Sequence, residues 1–297
     1  MPLSSLSLRR AAALLVLALP FAAAASGAHG PQELRARHAS LAPRLAANAF
    51  GGPLVLQSSE EQRRIDGDVY AVIDHPFSRV SAALSDPAQW CGILILHLNT
   101  KHCGTAGQGG QERVDIRVGK KHPQPVRSAS LLSFTWRPPQ VGPDYLAVQM
   151  DAADGPYDTR DYRLLAEAVP LPDGRTFLHM GYGLAYGGAS DLAMSLYLNT
   201  VGRDKVGFTR VKAGEGGFVG GMRGVTERNT MRYYLAIDAY LDSLSAPEGQ
   251  RLERRLEAWF DATERFPLQL REVGREAYLR MKREEVQRQG KLQGSHP

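Results

Sequence analysis

Ile65-Asp-Gly-Asp-Val-Tyr-Ala-Val-Ile73-Asp-His-Pro-Phe77-Ser-Arg-Val-Ser-Ala-Ala-Leu84 changes its period halfway. From Ile65 to Ile73, apolar and polar residues alternate as in a half-buried strand. Asp74-His75-Pro76 stops that run. Phe77, Val80, Leu84 and Ala88 then recur at helical spacing, with Ser85-Asp86-Pro87 marking a break between two short helices. A strand followed at once by two helices is an α+β opening.

Outward toward the C-terminus the chain reads as strands joined by turns. Arg113–Val118 alternates, with Val114, Ile116 and Val118 on one face. Ser130–Trp136, Tyr145–Asp151 and Asp158–Ala168 follow, and Pro170-Leu-Pro-Asp-Gly174 is a hairpin turn leading into Thr176–Tyr186. Strand-turn-strand order predicts an antiparallel sheet. Leu192–Leu198 is read as a short helix, Lys205–Val211 as a further strand, and 214–221 as a Gly-rich loop. Thr226–Leu244 carries Met231, Tyr234, Ile237 and Leu241 on one helical stripe. Two amphipathic helices end the chain, the first with Leu252, Leu256 and Trp259, the second with Leu270, Val273 and Met281. Outward toward the N-terminus, Pro31–Phe50 is read as a helix with Leu34, Leu41 and Leu45 on one side and an interruption at Pro43.

The first residues have a different character. Arg9-Arg10, then the uncharged run Ala11–Ala25, then the small residues Ala23-Ala24-Ala25 and Ser26-Gly27-Ala28 follow the order of a cleavable signal peptide. The run is too short to span a bilayer. Export to the periplasm is therefore expected, and in that compartment Cys91 and Cys103 are expected to form a disulfide. His97, His102 and Cys103 match no zinc spacing, and no metal or cofactor is expected.

The formal charge is +5, and removing Arg9 and Arg10 with the leader leaves +3. Basic and acidic residues are interleaved, which argues against nucleic-acid binding. Gly-x-Ser-x-Gly is absent, and Gly181-Tyr-Gly183 lacks the strand-to-helix context of a nucleotide loop.

On these residues the chain resembles the START-like (SRPBCC, helix-grip) superfamily: Gly67–Leu84 as the opening and Arg228–Leu241 as the final gripping helix. As a whole it also resembles uncharacterised exported proteobacterial proteins of that type. The resemblance implies a curved antiparallel sheet around a long C-terminal helix over 59–246. A signal peptide (1–25), an N-terminal helical segment (26–58) and C-terminal amphipathic helices with a tail (247–297) surround it. It brings no catalytic constellation.

Helix-grip folds leave a cavity between sheet and helix. Leu132, Phe134, Trp136, Met150, Met180, Tyr182, Tyr186, Arg228 and Tyr234 are the candidate lining, apolar with hydroxyl tips. The opposite face of Phe177–Tyr186 carries His179, Gly181 and Gly183, whose glycines make room for a neighbour. The function expected first is a non-catalytic periplasmic carrier of a hydrophobic or lipid-like molecule. An enzyme of cyclase or hydrolase type, using His97 or Asp238 in the same cavity, is the alternative. A third is an interaction module whose C-terminal helices meet a membrane surface or a protein.

Overall fold

The structure is a computed structural model that describes residues 28–109, 111–188, 205–211 and 217–293. The segment read as a leader, the expected Leu192–Leu198 helix and residues 214–216 of the Gly-rich loop lie outside the described residues. The protein is α+β, with a curved antiparallel sheet of nine strands. Helix α1 (Pro31–Ala46) precedes the hairpin β1 (Leu54–Glu61) and β2 (Arg64–Ile73), followed by α2 (Phe77–Leu84) and α3 (Pro87–Leu94). Then come β3 (Thr100–Ala106), β4 (Arg113–Val118), β5 (Ser130–Trp136), the short β6 (Gln140–Val141), β7 (Leu146–Asp154), β8 (Thr159–Pro170) and β9 (Thr176–Tyr186). The chain ends in the long helix α4 (Gly221–Ser243), then α5 (Glu248–Glu264), the single turn α6 (Pro267–Leu270) and α7 (Arg275–Gln293). The strands lie in the order β1-β2-β9-β8-β7-β5-β4-β3, with β6 beside β7.

Alternation divides the sheet into two faces. The inner face buries Val69, Leu132, Phe134, Trp136, Met150 and Met180 against Met231, Leu235 and Ile237 of α4. Trp259 of α5 and Tyr278 and Met281 of α7 join the same core, so the C-terminal helices are packed on the sheet domain. Gly67 sets how closely α4 approaches: a Cβ there would stand 2.5 Å from Thr230 Oγ1. The outer face carries a smaller core in which Leu34, Leu41 and Leu45 of α1 cover Val55, Tyr70, Val72 and Phe177. Each such buried leucine contributes roughly 1.5–3 kcal/mol.

Cys91 of α3 and Cys103 of β3 are disulfide-bonded, with Cα atoms 5.2 Å apart. Beside them Lys101 and Lys282, both fully buried, share the carboxylate of Glu285 at 3.1 and 2.8 Å and fasten α7 to β3. Among the described residues no helix is long and apolar enough to cross a membrane.

Three local readings differ from the structure. Helix α1 runs through Pro43, because the ring lies on the exposed side of its last turn and removes a single hydrogen bond. Residues 205–211 form no strand of the sheet; they meet 217–219 through the bridge Arg210–Phe218 and the backbone bonds of Gly207, Thr209 and Val211 with Val219 and Gly217. The backbone N–H groups of Phe208 and Thr209 donate instead to the buried Glu227 carboxylate, at 2.5 and 2.9 Å. Strands β1 and β3, at the two edges of the sheet, are additional.

Candidate functional site

The nine residues expected to line a cavity are all buried in or beside the inner core, between 0% and 8% exposed. Aromatic rings meet there: Phe134 packs on Tyr162, Tyr162 on Tyr182, and Tyr182 on Tyr233. Arg228 donates to the carbonyl of Val206. His97 is buried within the same core and stacked on Tyr233. Burial, with Arg232 and Lys282 nearby, lowers its pKa well below the usual value and keeps it neutral. Asp238 is a third exposed and faces His75 at 3.5 Å.

A cleft of about 380 Å³ lies on the other side of the sheet, on the outer face beside the start of α1. Strand register builds it in three rows. Tyr70, His179 and Glu167 are paired across β2, β9 and β8. The next row is Asp68, Gly181 and Leu165, and the third is Asp66, Gly183 and Arg163. With no side chains, Gly181 and Gly183 let the Asp68 and Asp66 carboxylates lie close over the strand; a Cβ would stand 3.3 Å from Asp68 Oδ1 at Gly181 and would clash with the Asp66 carboxylate at Gly183. Ala28, His29, Glu33 and Arg37 close the cleft from above. Of the nine expected residues only Tyr182 borders it. A second hollow of about 290 Å³ adjoins it past Ala28 and Leu165, toward Arg137 and Gln149.

One wall is a tightly bonded cluster. Glu167 is fully buried and its two oxygens have separate partners. Oε1 accepts the Tyr145 hydroxyl and the His29 backbone N–H, both at 2.6 Å. Oε2 faces Nδ1 of His29 at 2.7 Å and Nδ1 of His179 at 2.9 Å. The other ring nitrogen of His179, Nε2, meets Asp68 Oδ1 at 2.8 Å. Tyr70 stacks flat on the same ring at 4.4 Å. Burial by itself would raise the Glu167 pKa, but the bonds from His179, His29 and Tyr145 bring it down to about 2. Burial opposes charge on His179 too, yet Asp68 and Glu167 outweigh it and hold its pKa above the usual value.

This arrangement limits the chemistry. With both ring nitrogens directed at carboxylates, His179 presents no free lone pair for taking up a proton. The described lining of the cleft holds no Ser, Thr, Cys or Lys, and its carboxyl and hydroxyl groups are those of Glu33, Asp66, Asp68, Tyr70 and Tyr182. His29, Glu167 and His179 each offer one donor atom, and these lie within 4.8 Å of one another, a set able to hold a metal ion. The spacing of these residues in the chain carried no signal, since His29 and Glu167 are 138 positions apart. The alternation of Phe177–Tyr186 did separate His179, Gly181 and Gly183 from the large side chains.

No family model matches the chain, and no curated protein matches it. Among solved structures it is similar to a structural-genomics target from Nitrosospira multiformis, 17% identical, covering 51% of this chain and 89% of that one, with a TM-score of 0.29. A hypothetical protein from Helicobacter pylori is 14% identical over 44% of this chain and 74% of its own, at a TM-score of 0.32. A conserved protein of unknown function from Enterococcus faecalis is 8% identical over 85% and 98%, at 0.31.

Proposed function

We propose that this is an exported, non-catalytic binding protein of START-like helix-grip organisation that takes a small polar molecule on the outer face of its sheet. The observation that carries the reading is the cleft itself: the glycine-bearing strand β9 between Asp66, Asp68, Arg37, Arg163 and His179, on the face of the sheet opposite the main apolar core. A lipid needs an apolar cavity, whereas walls of mixed charge suit a ligand that forms hydrogen bonds and ion pairs. Support for the START-like part is the order of elements: β2, two helices, six further strands across the main sheet path, then α4. Support for export is the leader together with the Cys91–Cys103 bond.

Native mass spectrometry of protein isolated gently from the periplasm tests this, with Gly181→Leu as the variant that crowds the cleft. A bound small polar species is expected in the natural protein and absent from the variant. A co-purified lipid that survives Gly181→Leu would return the ligand to the inner side and reject the proposal.

A further inference from the structure

We propose that His29, His179 and Glu167 form a binding site for a divalent first-row transition-metal ion of the zinc or copper class, at the inner wall of the outer cleft. The carrying observation is convergence. Two imidazole Nδ1 atoms, from the segment before α1 and from β9, approach the same carboxylate oxygen, Glu167 Oε2, at 2.7 and 2.9 Å. Two nitrogens and one carboxylate oxygen make a borderline donor set that suits zinc and copper better than magnesium or calcium.

The surroundings are those such ligands need. A ligating imidazole is held in one tautomer by a bond from its other nitrogen. His179 has this: Nε2 meets Asp68 at 2.8 Å, which leaves Nδ1 for the ion. The carboxylate is oriented as well. Tyr145 and the His29 N–H occupy Oε1, so Oε2 is the oxygen turned toward the rings. Stacking on Tyr70 fixes the ring plane of His179. Metal–ligand bonds of about 2.0–2.1 Å in a tetrahedral shell separate donor atoms by ~3.3 Å, so each Nδ1–Oε2 separation opens by about half an ångström, while the two Nδ1 atoms already lie within 4.8 Å of each other. Binding displaces the Nδ1 proton of His179 to solvent, and His29 meets the ion as the tautomer that carries its proton on Nε2. His29 borders the cleft and its side chain is 16% exposed, so the ion has a path in and a coordination position left for water or a ligand.

The site does not depend on which organic molecule the cleft takes, and its test is run without one. The exported protein is stripped with chelator, and Zn²⁺ is titrated by calorimetry; Co²⁺ is used for its visible spectrum, with Mg²⁺ as control. One Zn²⁺ per chain is expected, with a tetrahedral-type Co²⁺ spectrum and no comparable Mg²⁺ binding. His29→Gln, at the edge of the fold, and Asp68→Asn are each expected to weaken Zn²⁺ binding by ~10-fold or more. His122→Asn, on an exposed loop away from the cleft, leaves it unchanged. Zn²⁺ bound as tightly by His29→Gln as by the natural protein overturns the site, as does a Zn²⁺ affinity no better than that for Mg²⁺. In that case the cluster is a hydrogen-bonded anchor for the N-terminal segment, and His29→Gln lowers thermal stability alone. A failed Zn²⁺ titration beside a bound organic species in native mass spectrometry rejects the metal site and leaves the cleft reading intact.

Discussion

Replacing Glu285 by Gln removes the carboxylate shared by the two buried lysines at the junction of α7 and β3. Lys101 Nζ lies 3.1 Å from Oε1 and Lys282 Nζ 2.8 Å from Oε2. At an effective dielectric of ~20, each contact is a gross attraction of about 5–6 kcal/mol. The carbonyls of Leu98, His97 and Thr100 still receive the two ammonium groups in the variant, at 2.7–2.9 Å. A net loss of roughly 3–5 kcal/mol is therefore expected, the range for breaking a buried pair. The pH dependence follows with a definite sign. Burial lowers the Lys282 pKa to about 8 in the folded protein, while the unfolded chain holds its proton to about 10.5. Between these values the unfolded state binds more protons, so this group's contribution makes stability rise with pH, and more steeply in the variant. Urea unfolding followed by circular dichroism from pH 7 to 10 measures both effects. Replacing all three residues, as Lys101→Met, Lys282→Met and Glu285→Leu, should recover most of the loss. A cost below ~1 kcal/mol for Glu285→Gln, or a triple variant as unstable as the single one, would refute the reasoning.

Other perturbations reach the remaining joints of the fold. Replacing Cys91 and Cys103 by Ser should lower stability by about 3 kcal/mol and abolish the effect of reductant on the melting temperature. Gly67→Ala places a methyl 2.5 Å from Thr230 Oγ1 and should cost ~1–3 kcal/mol in chemical unfolding. Adding Thr230→Ala takes that oxygen away and should restore most of it.

Much of the sheet was legible locally. The period-two pattern located β2, β4, β5 and β9, and Asp86-Pro87 marked the start of α3, where Asp86 caps Ala88 N at 2.8 Å. The β1–β2 turn escaped notice for a physical reason. Its central residues Gln62 and Arg63 both have positive φ, a conformation usually signalled by Asn or Gly. Strand β3 was hidden because Thr100-Lys-His-Cys-Gly-Thr-Ala106 carries no alternating apolar run. The 205–211 segment looked like a strand, but a buried side chain, Glu227, took the backbone donors that a neighbouring strand would have satisfied.

The sequence alone determined the α+β class, the antiparallel sheet and the division of β9 into a large-residue face and a glycine-histidine face. These are properties of neighbouring residues, set by a repeat of two or 3.6. Which of those faces holds a cleft was decided only by tertiary structure. Whether apolar side chains line a cavity or fill a core depends on how closely α4 approaches, and the gap at Gly67 sets that distance across the sheet. The cluster of His29, Glu167 and His179 depends on tertiary structure as well. Strand register aligns Glu167 with His179, and α1 packs on the outer face with His29 at its entry. Contacts between residues 138 positions apart leave no periodic trace in the chain.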